Sequence, residues 1–113
     1  MEKVADYKQK VVKVLGEIAN WSADDELVDT QFIRDHENGH YLLFDVGWEG
    51  SKRIYLPFVH VDVTAEGKVW LQHDGTDLKI ALLLYEAGIP KSDIVLGFHA
   101  PYNRELIPEF AVS

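Results

Sequence analysis

Apolar residues early in the chain stand at Val4, Tyr7, Val11, Val14, Ile18 and Trp21, in steps of three and four that line one side of a helix. Lys3, Lys10, Lys13 and Glu17 fall on its other sides. The pattern predicts an amphipathic helix over residues 2–20, docked by this stripe on a sheet. The seam is too short for a coiled coil, so a dimerisation helix is the second reading. A polar break over residues 22–26 follows, and the period then changes to two. Residues 27–35 read as a mixed strand, and Asn38-Gly39 as a two-residue hairpin turn, because both residues tolerate positive φ. Residues 40–48 form a second strand in which Leu42, Phe44, Val46 and Trp48 share a face. After a turn at 49–51, residues 52–64 make a long third strand. Pro57 requires it to be bent, bulged or at an edge, since proline cannot donate to a ladder. A turn at 65–67 leads to a short fourth strand at 69–72. Strands spaced so regularly imply an antiparallel meander.

The period lengthens again after Thr76. Leu78, Ile80, Ala81, Leu82, Leu83, Leu84, Tyr85 and Ala87 cover almost the whole circumference of a helix over 77–87, which predicts burial on most sides. Thr76 is the expected cap, Asp77 complements the helix dipole, and Gly88 with Pro90 ends the helix. Residues 94–98 read as a short buried strand. Pro101 and Pro108 make the tail irregular, and Phe110, Ala111 and Val112 require it to be tied down. The expected fold is α+β, a single domain over residues 1–113. Its N-terminal helix and second buried helix pack on an antiparallel meander of about four to six strands. The expected core is Val11, Leu15, Ile18, Phe44, Val46, Val69, Leu71, Ala81, Leu82 and Ile94.

Composition narrows the class. At 113 residues and 47% hydrophobic content the chain can bury a stable core. No cysteine is present, which excludes disulfides and thiolate metal sites and fits the reducing cytoplasm, the expected location. No apolar run approaches the roughly 20 residues of a membrane helix, and no signal peptide is expected. Nineteen acidic residues face eleven basic ones, a net charge of −8. Residues 1–13 carry +2 of local charge and the remaining hundred carry −10. Duplex DNA repels such a surface, so direct nucleic-acid binding is unexpected and a protein partner, itself basic, fits better.

The candidate chemistry is sparse. His60 and Asp62 are two apart and point to one face of a strand, as two metal ligands would, with His73 or His99 as the third. A half-buried histidine bonded to Asp62 is the simpler reading, and no cofactor is expected. Asp45 followed by Glu66-Gly67-Lys68 matches a metal-dependent nuclease pattern on paper, but Glu66 sits in a turn, out of the sheet. Asp74-Gly75-Thr76-Asp77 reads as a turn and helix cap. No phosphate-binding glycine loop or nucleophile elbow occurs, so catalytic residues are not assigned. Trp48, Tyr55 and Trp70 accompany Arg53, the residue types that anchor protein interfaces.

One long stretch is distinctive: Gly67 to Asp77, the apolar run, and Ala87-Gly88-Ile89-Pro90 through Phe98 and Pro101. With Asp45-Val46-Gly47-Trp48, Arg53, His60-Val61-Asp62, Arg104 and the closing Phe110-Ala111-Val112, it resembles the XisI-like family, the cyanobacterial fdxN element excision controlling factors. Leu56-Pro57-Phe58 and Pro108 depart from the family pattern. The resemblance implies a non-enzymatic accessory factor in DNA element excision or a related system, beside a separate recombinase and a companion XisH-like protein with nuclease features. It marks the Trp48–Arg53 hairpin and the loop holding Tyr102 and Arg104 as partner-binding candidates. A homo-oligomer, a metal-dependent enzyme using His60 and Asp62, and a direct DNA-binding factor are the competing expectations.

Overall fold

The apolar stripe of the N-terminal segment closes over one face of a five-stranded sheet. The computed structural model describes residues 2–21 and 26–113, so most of the polar break lies outside the described residues. The elements are α1 (Glu2–Trp21), β1 (Val28–Asp35), β2 (His40–Glu49), β3 (Lys52–Val63), β4 (Val69–Asp74), α2 (Ile80–Glu86), β5 (Ile94–Leu96) and α3 (Pro101–Arg104). Sheet order is β1-β2-β3-β4-β5. The first four strands are antiparallel neighbours, and β5 runs parallel to β4 after a crossover through α2. No helix among the described residues is long and apolar enough to cross a membrane.

The core lies between the helices and one sheet face. Tyr7, Val11, Val14, Leu15 and Ile18 of α1 meet Tyr41 and Leu43 of β2, Val59, Val61 and Val63 of β3, and Val69 and Leu71 of β4. Phe58 of β3 and Ile80 and Leu84 of α2, with Ile89, Ile94 and Leu96, complete it. Each such side chain contributes about 1.5–3 kcal/mol of burial. Val95, paired with Trp70, turns the other way and is buried outside that cluster. The terminus is tied down as expected: Ala111 bridges Val95, and its N–H donates to the Ile94 carbonyl at 2.9 Å.

Several expectations need correction. In β2 the face carrying Tyr41 and Leu43 is the buried one, so Phe44 and Val46 lie on the opposite face and outside the core. Alternation identifies the two faces of a strand but not which of them a helix covers. The first hairpin loop has four residues, 36–39, rather than two, closed by the Gly39 N–H on the Asp35 carbonyl at 2.8 Å. Pro57 does mark a bulge: the β2–β3 register jumps from Leu43↔Val59 to Phe44↔Pro57, leaving Phe58 as the extra residue. The second helix starts at Ile80, not residue 77, and is amphipathic rather than buried all round. Leu82 is 38% exposed, with Leu78 and Tyr85 beside it in sequence order on the solvent side, and Ala81 is only partly buried. Lys79, at φ 55°, precedes the helix, and the cap is Asp74 rather than Thr76: its carboxylate accepts the Ile80 N–H at 3.0 Å and the Thr76 N–H and hydroxyl at 2.9 and 2.6 Å.

Gly47 has a clear steric reason. A Cβ there would stand 2.0 Å from the Leu27 carbonyl oxygen, which accepts the Trp48 N–H at 3.0 Å. This close crossing sets where β1 begins beside the long β2–β3 hairpin.

Candidate functional site

The sheet face turned away from α1 carries two arrangements in line. Along β2 its residues are His40, Leu42, Phe44, Val46 and Trp48, and their partners on β3 are Asp62, His60, Pro57, Tyr55 and Arg53. Ile33 of β1 lies opposite Leu42. The middle of this face is therefore an apolar strip, polar at one end and aromatic at the other.

At the aromatic end Trp48 is 50% and Tyr55 66% exposed. The Arg53 guanidinium stands 5.2 Å from the Trp48 ring centroid and 5.8 Å from that of Tyr55, and donates to the Gly47 carbonyl at 3.3 Å. Phe44 meets Tyr55 edge-on at 4.8 Å. Stacking and the backbone bond hold the arginine across the two rings. The proposed partner residues Trp48 and Arg53 thus come together, and Tyr55 joins them.

Tyr102 and Arg104 lie on α3, over β4 on the same outer face, away from the aromatic end of the hairpin. Tyr102 is exposed. Arg104 faces inward, its guanidinium 5.1 Å from the Trp70 ring centroid, with Nε and Nη1 buried and without hydrogen-bond partners among the described residues. Arg104 therefore braces α3 against β4.

At the polar end, Asp62 gathers three side chains. His40 Nδ1 and His60 Nε2 lie 2.7 and 2.8 Å from its Oδ1, and Gln72 Nε2 donates to Oδ2 at 3.1 Å. Burial by itself would raise the Asp62 carboxyl. The hydrogen bonds from His40, Gln72 and His60 outweigh it and hold the group below the ordinary carboxylate value. The bond to Asp62 raises His40 above the usual imidazole value. His60, Asp62 and His40 are the donor set brought within 4.8 Å of one another, and His73 is outside it. The β3–β4 register explains the difference. It jumps from His60↔His73 to Val61↔Leu71, and the intervening Gln72 reaches Asp62 in place of His73. Sequence spacing does not nominate His40, because its proximity to Asp62 depends on the β2–β3 register.

The nuclease pattern does not assemble. Asp45 pairs with Leu56 in the outer half of the hairpin and accepts the Thr30 hydroxyl at 2.7 Å, whereas Glu66 occupies the turn beyond Val63 at the other end of β3.

A family model described as XisI protein matches residues 1–112. A solved XisI-like protein from Anabaena variabilis ATCC 29413 aligns with a TM-score of 0.89 at 39% identity, covering 97% of this chain and 99% of that one. The fdxN element excision controlling factor XisI from the same organism aligns at 0.81 and 31%, covering 98% and 99%. The comparison with curated proteins found no match.

Proposed function

The chain belongs to the XisI family, and on that premise we propose that it is a non-enzymatic accessory factor in excision of a DNA element or a related process, acting by binding a companion XisH-like protein. The observation that carries this reading is the exposed cluster of Trp48, Arg53 and Tyr55 at the end of an apolar strip. Tryptophan, tyrosine and arginine are the residues that dominate protein interfaces when desolvated. The surface charge of −10 beyond residue 13 suits a partner that is basic because it touches DNA.

Direct DNA binding finds little support in the same chain. The lysines of α1 form a local basic excess, and three of them are engaged internally. Lys3 pairs with Asp93 at 3.0 Å, Lys10 with Asp6 at 2.7 Å, and Lys8 donates to the His36 carbonyl at 2.8 Å. The net charge of −10 beyond residue 13 opposes the approach of a duplex.

Calorimetric titration of the companion with the chain tests the reading. Trp48→Ala and Arg53→Ala are expected to weaken binding by at least about tenfold, with melting temperatures close to that of the unsubstituted chain. Arg104→Ala is expected to lower the melting temperature and leave the affinity unchanged. Equal affinities for all three variants would overturn the assignment of the surface. Tight, sequence-selective binding of duplex DNA by the chain alone would overturn the function.

A further inference from the structure

We propose that His40, His60 and Asp62 form a binding site for one divalent transition-metal ion of the zinc class, built on the outer face of β2 and β3. The ligand atoms are His40 Nδ1, His60 Nε2 and Asp62 Oδ1, none more than 4.8 Å from another. A tetrahedral zinc ion keeps its ligand atoms about 3.3 Å apart, from metal–ligand distances of about 2.0–2.1 Å. The two hydrogen-bonded separations here, 2.7 and 2.8 Å, widen to that value by shifts on the order of half an ångström. Imidazole nitrogens select zinc and its transition-metal neighbours over magnesium or calcium, which prefer oxygen alone.

Three further features belong to a built site. His40 and Asp62 are direct cross-strand partners, and His60 is the partner of Leu42 on the same face, so all three ligands rise from paired strands rather than loops. Gln72 holds the second carboxylate oxygen at 3.1 Å, an outer contact that fixes the orientation of Asp62 and leaves Oδ1 for the ion. His40 is exposed while His60 and Asp62 are half-buried, which leaves one side of the ion open to water. Without an ion, both rings share one carboxylate oxygen, and each must hold its proton on the nitrogen that faces it. The site needs no protein partner and stands apart from the aromatic end of the same face.

The test is titration of chelator-treated full-length chain with zinc, followed by calorimetry, and with cobalt, followed by its visible absorption. One equivalent per chain is expected. His40→Ala and His60→Ala are each expected to weaken binding by at least about tenfold, and Gln72→Ala by about tenfold. His73→Ala and His99→Ala are expected to bind as the unsubstituted chain does. Nuclear magnetic resonance of the unsubstituted chain gives a reading that does not depend on folding of a variant: zinc should shift the ring signals of His40 and His60 and leave those of His73 and His99. Absence of saturable uptake would overturn the proposal, as would uptake unaffected by His40→Ala or zinc-induced shifts centred on His73.

Discussion

Leu84 and Leu82 stand two positions apart on α2 and have different weights. Leu84 has no exposure and lies in the core, whereas Leu82 borders solvent. Leu84→Ala is expected to cost about 2–5 kcal/mol, and Leu82→Ala less than about 1 kcal/mol, read from urea unfolding midpoints. A sequence that is apolar all round does not distinguish the two, because the answer depends on where the helix begins. Asp93 offers a second residue-scale test. Burial would raise its carboxyl, but bonds from Tyr7 and Lys3 outweigh burial and hold it below the ordinary 3.8. Burial, then the bond to Asp93, lifts Tyr7 to about 12, so it stays a donor throughout the acid range. A carboxylate whose folded value is depressed stabilises the fold above its unfolded value, and the contribution disappears as pH falls through the folded one. Unfolding midpoints measured from about pH 5 down to about pH 2 should therefore fall less in Asp93→Asn than in the unsubstituted chain. Parallel declines would show that Asp93 contributes no such linkage.

At the scale of elements, the strands and α1 were legible because each has its own period and its own punctuation. Gly50 at φ 61° turns β2 into β3, as the Glu49-Gly50-Ser51 signal required. The bulge beside Pro57 was legible for the same reason: the missing donor is a local fact. What was not legible depends on contacts distant in sequence. The buried side of β2 is decided by α1, which covers Tyr41 and Leu43, and the Tyr41 hydroxyl finds its partner in His36 at 2.9 Å. The start of α2 is decided by a loop, in which Asp74 reaches six residues ahead to the Ile80 N–H. Asp74→Ala is accordingly expected to cost about 1–2 kcal/mol in urea unfolding, more than Thr76→Ala, which keeps the bond to Ile80. The reverse order would return the cap to Thr76. The parallel β5 also escaped local reading, since a three-residue strand gives no direction of its own.

The whole molecule divides into a helix-covered face and an outer face. The family was legible from separated motifs in order, and three of them lie on or beside the outer face: Asp45 to Trp48, Arg53, and His60 to Asp62. Spacing alone nominated His60 and Asp62, but the closing of the cluster by His40 and Gln72 needed the register of three strands. Trp48 and Arg53 were legible as residue types, and their stacking with Tyr55 was not. The central claim is that this outer face meets a protein partner at its aromatic end. Hydroxyl-radical footprinting of the chain, alone and saturated with the proposed XisH-like companion, tests it most directly, because exposed Trp48, Tyr55, Tyr85, Trp21 and Tyr102 all report on accessibility. Oxidation of Trp48 and Tyr55 is expected to drop on addition of the companion, while that of Trp21, Tyr85 and Tyr102 stays as it was. Protection of Tyr85 or Tyr102 with Trp48 and Tyr55 unchanged would contradict the account.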